Sequence, residues 1–317
     1  MTHTIYKTIG QDLTFELGDL TLKITDAVNQ AKGFIPYLPN DASLKSRIIT
    51  DNDFARDSPC RWLLSHLANK GLANWVGDIR TFNPDTNPYW TDERMQSHWD
   101  AEAKLVVGLK NIPKMVRGST RKYTTTNIEN SAGVDLIIQQ ALFCTPDNPL
   151  IILVGGQCTT VASAISANPL IYDRIVIFHT SGLYYKYEGR VQGYNTMDFF
   201  AAYTCMQKSK YVNANFKGKS QYWYEGKNLG LTIDMIKALP DNAMTTALEN
   251  WFTTLFPKEG MADATPLLWL LNPKVWTSIQ KRRENGTVTT GEDYDYIFID
   301  GHDWPLYGPT LVNGFKM

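Results

Sequence analysis

This chain of 317 residues has no excess charge of either sign: 31 Lys and Arg stand against 32 Asp and Glu. A near-neutral balance leaves no electrostatic footprint for a polyanion, so neither a nucleic-acid nor a membrane partner is expected. Cysteine is sparse too. Cys60, Cys144, Cys158 and Cys205 lie far apart, each in or beside an apolar segment. That placement lacks paired metal-ligand spacing and predicts buried free thiols. The stretch Met1-Thr2-His3-Thr4-Ile5-Tyr6-Lys7 lacks the basic and apolar regions of a signal peptide, and no apolar run approaches the length of a membrane span. A cytoplasmic location is therefore expected. There is no internal repeat and no low-complexity segment.

What is present begins with one stretch, Arg47-Ile48-Ile49-Thr50-Asp51-Asn52-Asp53-Phe54-Ala55-Arg56-Asp57-Ser58. A β-branched apolar run ends in three carboxylates, and a helical pattern from Pro59 follows at once. This reads as a buried strand delivering acids to a rim. Crowded carboxylates repel, so a divalent cation, raised pKa values or hydrogen bonds to substrate hydroxyls must offset them. Parallel α/β sheets bind ligands at that end of their strands. The plainer alternative is that Asp57 or Ser58 caps the helix and the other acids are solvated.

Along the chain, alternation about Gly18-Asp19 between residues 10 and 25 predicts a β-hairpin, and residues 1–45 read as an appendage to a main domain over 46–317. A strand is expected near 71–83, ending at Asn83. A helix over Ser97–Leu109 puts Trp99, Ala103, Val106 and Val107 on one apolar face, and a short strand is expected over 111–118. Another helix is expected over Ala132–Phe143. A fully apolar strand follows, Leu150–Val154 running into Gly155-Gly156, and the strand Arg174–His179 repeats the pattern. Residues 245–276 read as helical, 287–299 as one or two strands, and 300–305 as a polar turn. Strands alternating with helices predict an α/β fold, with a mostly parallel central sheet and helices on both faces.

Taken together these motifs resemble the nucleoside hydrolases, calcium-dependent N-ribohydrolases of the inosine-uridine-preferring type, from about Arg47 to Pro273. Asp51 to Ser58 is similar to the family's Asp-x-Asp-Pro-Gly-x-Asp-Asp signature, with Ser58 replacing its last acid. The resemblance implies that Asp53 binds calcium and activates water, that Asp57 binds ribose, and that calcium binding is weakened or lost through Ser58. Gly156-Gln157-Cys158-Thr159-Thr160-Val161-Ala162 is similar to the family's Gly-Pro-Leu-Thr-Asn-Ile-Ala turn, which implies that the Thr159 carbonyl is a metal ligand. Asn83 and Asn195 take sugar-binding positions, and Asp263 keeps a metal position.

Two family residues are replaced: a Glu by Gly193, and the His that assists the leaving base by Ala262. His179, at the end of a central strand, is the candidate substitute acid, although a histidine satisfied by neighbouring backbone explains it as well. The expected activity is hydrolysis of the N-glycosidic bond of a nucleoside or related ribosyl compound. The alternatives are a nucleoside- or sugar-binding protein that has lost catalysis, and a structural protein reusing the fold. The sequence leaves open whether the chain forms a homo-oligomer.

Overall fold

The computed structural model describes residues 13–17, 20–24, 43–52, 59–81, 91–126, 128–180, 185–187, 190–192, 198–214, 229–256, 261–284 and 294–317. Strands β1 (Leu13–Leu17) and β2 (Leu20–Ile24) pair antiparallel as the expected hairpin, Leu17 opposite Leu20.

The main sheet contains β3 (Arg47–Asn52), β4 (Asn74–Arg80), β5 (Met115–Arg117), β6 (Leu150–Val154), β7 (Ile175–His179), β10 (Lys210–Asn213), β11 (Trp276–Glu284) and β12 (Tyr294–His302). The short strands β8 (Tyr185–Tyr187) and β9 (Arg190–Gln192) pair separately. Across the main sheet the order is β11-β12-β10-β7-β6-β3-β4-β5. Seven strands run parallel, and β11 lies antiparallel on β12 at one edge. The fold is α/β with a mostly parallel central sheet, as the alternation predicts.

Both faces of the sheet are covered, so the central strands are apolar throughout instead of alternating with polar residues. Ile48, Ile151, Leu153, Val176 and Phe178 face one way, against helices Pro59–Asn69, Ala243–Thr254, Thr265–Leu271 and Tyr307–Lys316. Their neighbours Ile49, Ile152, Val154, Ile175 and Ile177 face the other way, against helices Ala132–Leu142, Thr159–Ala167 and Phe199–Lys208. The two-residue period of the strand splits each apolar run between two cores. Among the described residues, no helix is long and apolar enough to cross a membrane.

Two boundaries differ from the sequence reading. The helix expected over 97–109 spans Asp92–Leu105, because Thr91 caps it by accepting the Arg94 amide at 3.4 Å. Val107 consequently lies beyond the helix and is 79% exposed. At the far end, β11 and β12 form a long pair that begins at Trp276, within the stretch read as helical, and β12 continues through the expected polar turn to His302.

Candidate active site at the carboxyl ends of the central strands

Strands β3, β6 and β7 end side by side, and polar groups replace the apolar run on all three. Asp51 and Asn52 close β3, Gly155 follows β6, and His179 ends β7 with Thr180 after it. The main chain stitches these ends together: the Gly155 amide donates to Asp51 O at 3.0 Å and to Asn52 Oδ1 at 3.1 Å, and the Thr180 amide donates to Val154 O at 3.0 Å.

Asp51 is fully buried. Its Oδ1 accepts from the Thr81 hydroxyl, which also contacts the Thr160 hydroxyl, and the Ser119 amide donates to Thr160 Oγ1 at 2.8 Å. An amide N–H can only donate and a carboxylate can only accept, so the direction of this chain is fixed. It runs from Ser119 N through Thr160 and Thr81 to Asp51. Gly118 makes the hydroxyl pair possible, since a Cβ there would collide with both threonine oxygens. Local sequence patterns gave no sign of the chain, because its members come from four separate segments.

Asp263 reaches the same rim from the one-turn helix Ala262–Ala264, which leads into helix Thr265–Leu271. Its carboxylate is buried and accepts from Thr180 Oγ1 at 3.5 Å. A Cβ built on Gly155 would stand less than 3.0 Å from all three carboxylate atoms. Gly155 is thus the cradle that admits Asp263. The glycines after the β6 strand were visible in the sequence, but their partner was not.

Thr159 opens helix Thr159–Ala167, and its hydroxyl donates to Asp198 Oδ2 at 2.6 Å. Asp198, which the sequence reading passed over as a site residue, is a buried junction. The Tyr123 amide donates to Oδ2 at 3.0 Å, and the Ala201 amide donates to Oδ1 at 3.3 Å, which caps helix Phe199–Lys208. One carboxylate therefore ties together the 119–126 loop, the turn at Thr159 and the start of the 199–208 helix. Burial pushes its pKa up, against the lowering effect of its three donors.

His179 does not stand open to a ligand. It is fully buried, Nε2 donates to Gly156 O at 2.7 Å, and Nδ1 meets the Tyr211 hydroxyl, with Cys158 Sγ 3.5 Å away. A carbonyl can only accept, so the neutral ring carries its proton on Nε2 and takes the Tyr211 proton on Nδ1. Both nitrogens are committed inside the protein, as in the satisfied-histidine alternative. Burial also pushes the Cys158 thiol well above its ordinary range.

Of the residues singled out from sequence, Asp263, Thr159 and His179 are placed at this rim. Asp53, Asp57, Ser58, Asn83 and Asn195 lie outside the described residues. Among the described residues, no group of three or more His, Cys, Asp or Glu side chains is placed to hold a metal ion. The described part of the implied calcium set does fit a hard cation: Asp263 is a buried oxygen donor in a glycine cradle.

The chain thus has an α/β fold with a parallel sheet and buried acids at its central strand ends, the end of such sheets where ligands are generally held. Comparison with solved structures makes the fold specific. An inosine-guanosine nucleoside hydrolase matches with a TM-score of 0.59 at 12% identity, over 86% of this chain and 99% of that one. A purine-preferring ribonucleoside hydrolase from Gardnerella vaginalis matches with a TM-score of 0.57 at 16% identity, over 85% of this chain and 98% of that one. The type III effector protein XopQ, complexed with adenosine diphosphate ribose, matches with a TM-score of 0.56 at 12% identity, over 88% of this chain and 95% of that one. The fold is nucleoside-hydrolase-like. No protein-family model matches the chain, and no curated protein does.

Proposed function

We propose that the rim at β3, β6 and β7 binds a ribosyl compound and hydrolyses its N-glycosidic bond. The observation that carries this reading is the delivery of the buried Asp263 carboxylate to Gly155, beside the acidic end of β3. Parallel α/β sheets hold their ligands at the carboxyl ends of the strands, and an acid delivered to that rim is placed to meet one. The nucleosides named for two neighbours, and the ADP-ribose held by the third, support a ribosyl ligand.

In this reading Asp53 and Asp263, with the Thr159 carbonyl, hold a calcium ion, and Ser58 is a neutral, weaker fourth donor. Calcium, when bound, supplies Lewis acidity toward water and a grip on the sugar diol. Asp53 accepts the proton of the attacking water, while Asp57, Asn83 and Asn195 orient the sugar hydroxyls. The ordered hydroxyl chain from Ser119 anchors the buried Asp51 at the end of β3.

One observation favours a second reading, binding without turnover. Position 262 is alanine, and His179, the substitute acid suggested by sequence, has both nitrogens occupied. A nucleobase leaves slowly without an acid to protonate it. Incubation with inosine and uridine in calcium-containing buffer, with chromatography of the free base, separates the readings. Base release that Asp53→Asn abolishes supports hydrolysis; calorimetric nucleoside binding with no base released supports the second reading.

A further inference from the structure

Away from that rim, at the β4–β5 edge of the sheet, a cavity of about 400 Å³ opens between helix Asp92–Leu105 and the 106–115 segment. Its wall is apolar, with Trp99, Ala103, Val106 and Ile112 among the lining residues. Small-molecule sites fall in this size range and pair apolar walls with a few placed polar groups. Two such groups are present, Arg61 and Lys114.

Arg61 is 1% exposed. Its Nε donates to Asp78 Oδ2 at 2.8 Å, and its Nη1 donates to Glu102 Oε2 at 2.9 Å. Among the described residues Nη2 donates to no acceptor, so a buried guanidinium bordering the cavity keeps unused donor capacity. The acids beside it are already engaged. Glu102 Oε1 takes the Trp62 indole N–H at 3.2 Å, and Asp78 Oδ1 takes the Thr50 hydroxyl at 3.1 Å and faces Arg80 Nε at 3.4 Å. Two guanidinium groups thus balance two carboxylates. Exposed Lys114 on the rim adds a positive charge, and exposed Lys104 and Lys110 follow Ala103 and Leu109. Asp100, exposed on the outer face of the helix, is bonded to Gln96 at 2.8 Å.

We propose that this cavity is a second ligand site, for a small organic acid whose apolar body lies against Trp99, Ala103 and Val106 and whose carboxylate meets Arg61 Nη2 and Lys114. The apolar wall supplies affinity through area removed from water, and the two cations select a carboxylate over a neutral head group.

Octanoate is the probe, titrated calorimetrically into the full chain, with 1-octanol as the uncharged control. Saturable octanoate binding about tenfold tighter than octanol binding is expected. Ala103→Trp fills the cavity and should abolish it. Lys114→Glu, on an exposed side chain that leaves the fold intact, should weaken octanoate by about tenfold and leave octanol unchanged. No octanoate binding at millimolar concentration overturns the proposal. So does binding that survives both substitutions, which would place the ligand elsewhere.

Discussion

The carboxylate of Asp263 occupies the space that a side chain on Gly155 would fill. A methyl group at residue 155 therefore has to push the 261–264 segment away from the strand ends. We predict that Gly155→Ala lowers calcium affinity at least about tenfold, the size of effect seen when a ligand's support is disturbed. Thermal shift with and without calcium is the check. A calcium-induced shift equal to that of the unaltered protein would separate Asp263 from the metal.

His179 is predicted to act on stability. His179→Ala removes the Nε2–H donor of Gly156 O and one hydrogen-bond partner of the Tyr211 hydroxyl in a fully buried setting. Removing one partner of a buried polar group costs about 1–3 kcal/mol, so a loss of that size is expected in urea denaturation. Unchanged stability with lost ligand turnover would instead restore His179 as an acid.

Asp198 gives the stability a pH dependence of known sign. Burial raises its folded-state pKa above the ordinary carboxylate value, so the folded protein holds this proton more tightly than the unfolded chain does. Its contribution is fully present below the unfolded pKa, about 4, and is lost as pH rises through the folded value. Asp198→Asn should flatten the denaturation midpoint over that window. The substitution keeps an oxygen to cap the 199–208 helix but faces the Tyr123 and Thr159 donors with an amide NH2, a loss of about 1–3 kcal/mol that remains at neutral pH. A midpoint profile with the same slope in both proteins would contradict the assignment.

Much of this architecture was legible in the chain because it is written locally. The runs at Ile48–Ile49, Leu150–Val154 and Ile175–Phe178 are short, apolar and rich in branched side chains, and a strand buried on both faces requires that pattern. The acids at the end of β3 were visible for the same reason. The helix start at Asp92 was missed although Thr91 signals it, because the apolar stripe farther along drew the boundary toward Trp99.

The candidate site was harder to read, since its defining contacts join residues far apart in sequence. Asp198 gathers donors from Tyr123, Thr159 and Ala201, and only the last is local. Tyr211 decides the role of His179, and no spacing rule connects a residue on β10 with one on β7. Asp263 was placed by the resemblance, whereas the glycine that admits it emerged only from the packing.

Ligand binding at the rim depends on Asp263. The most direct measurement is calorimetric titration of calcium into chelator-treated protein, followed by ribose on the same sample, for the unaltered chain and for Asp263→Asn. Calcium heat that ribose strengthens, lost in the variant, is the predicted result. Equal calcium and ribose binding by the two proteins, or no heat from either at millimolar calcium, would contradict it.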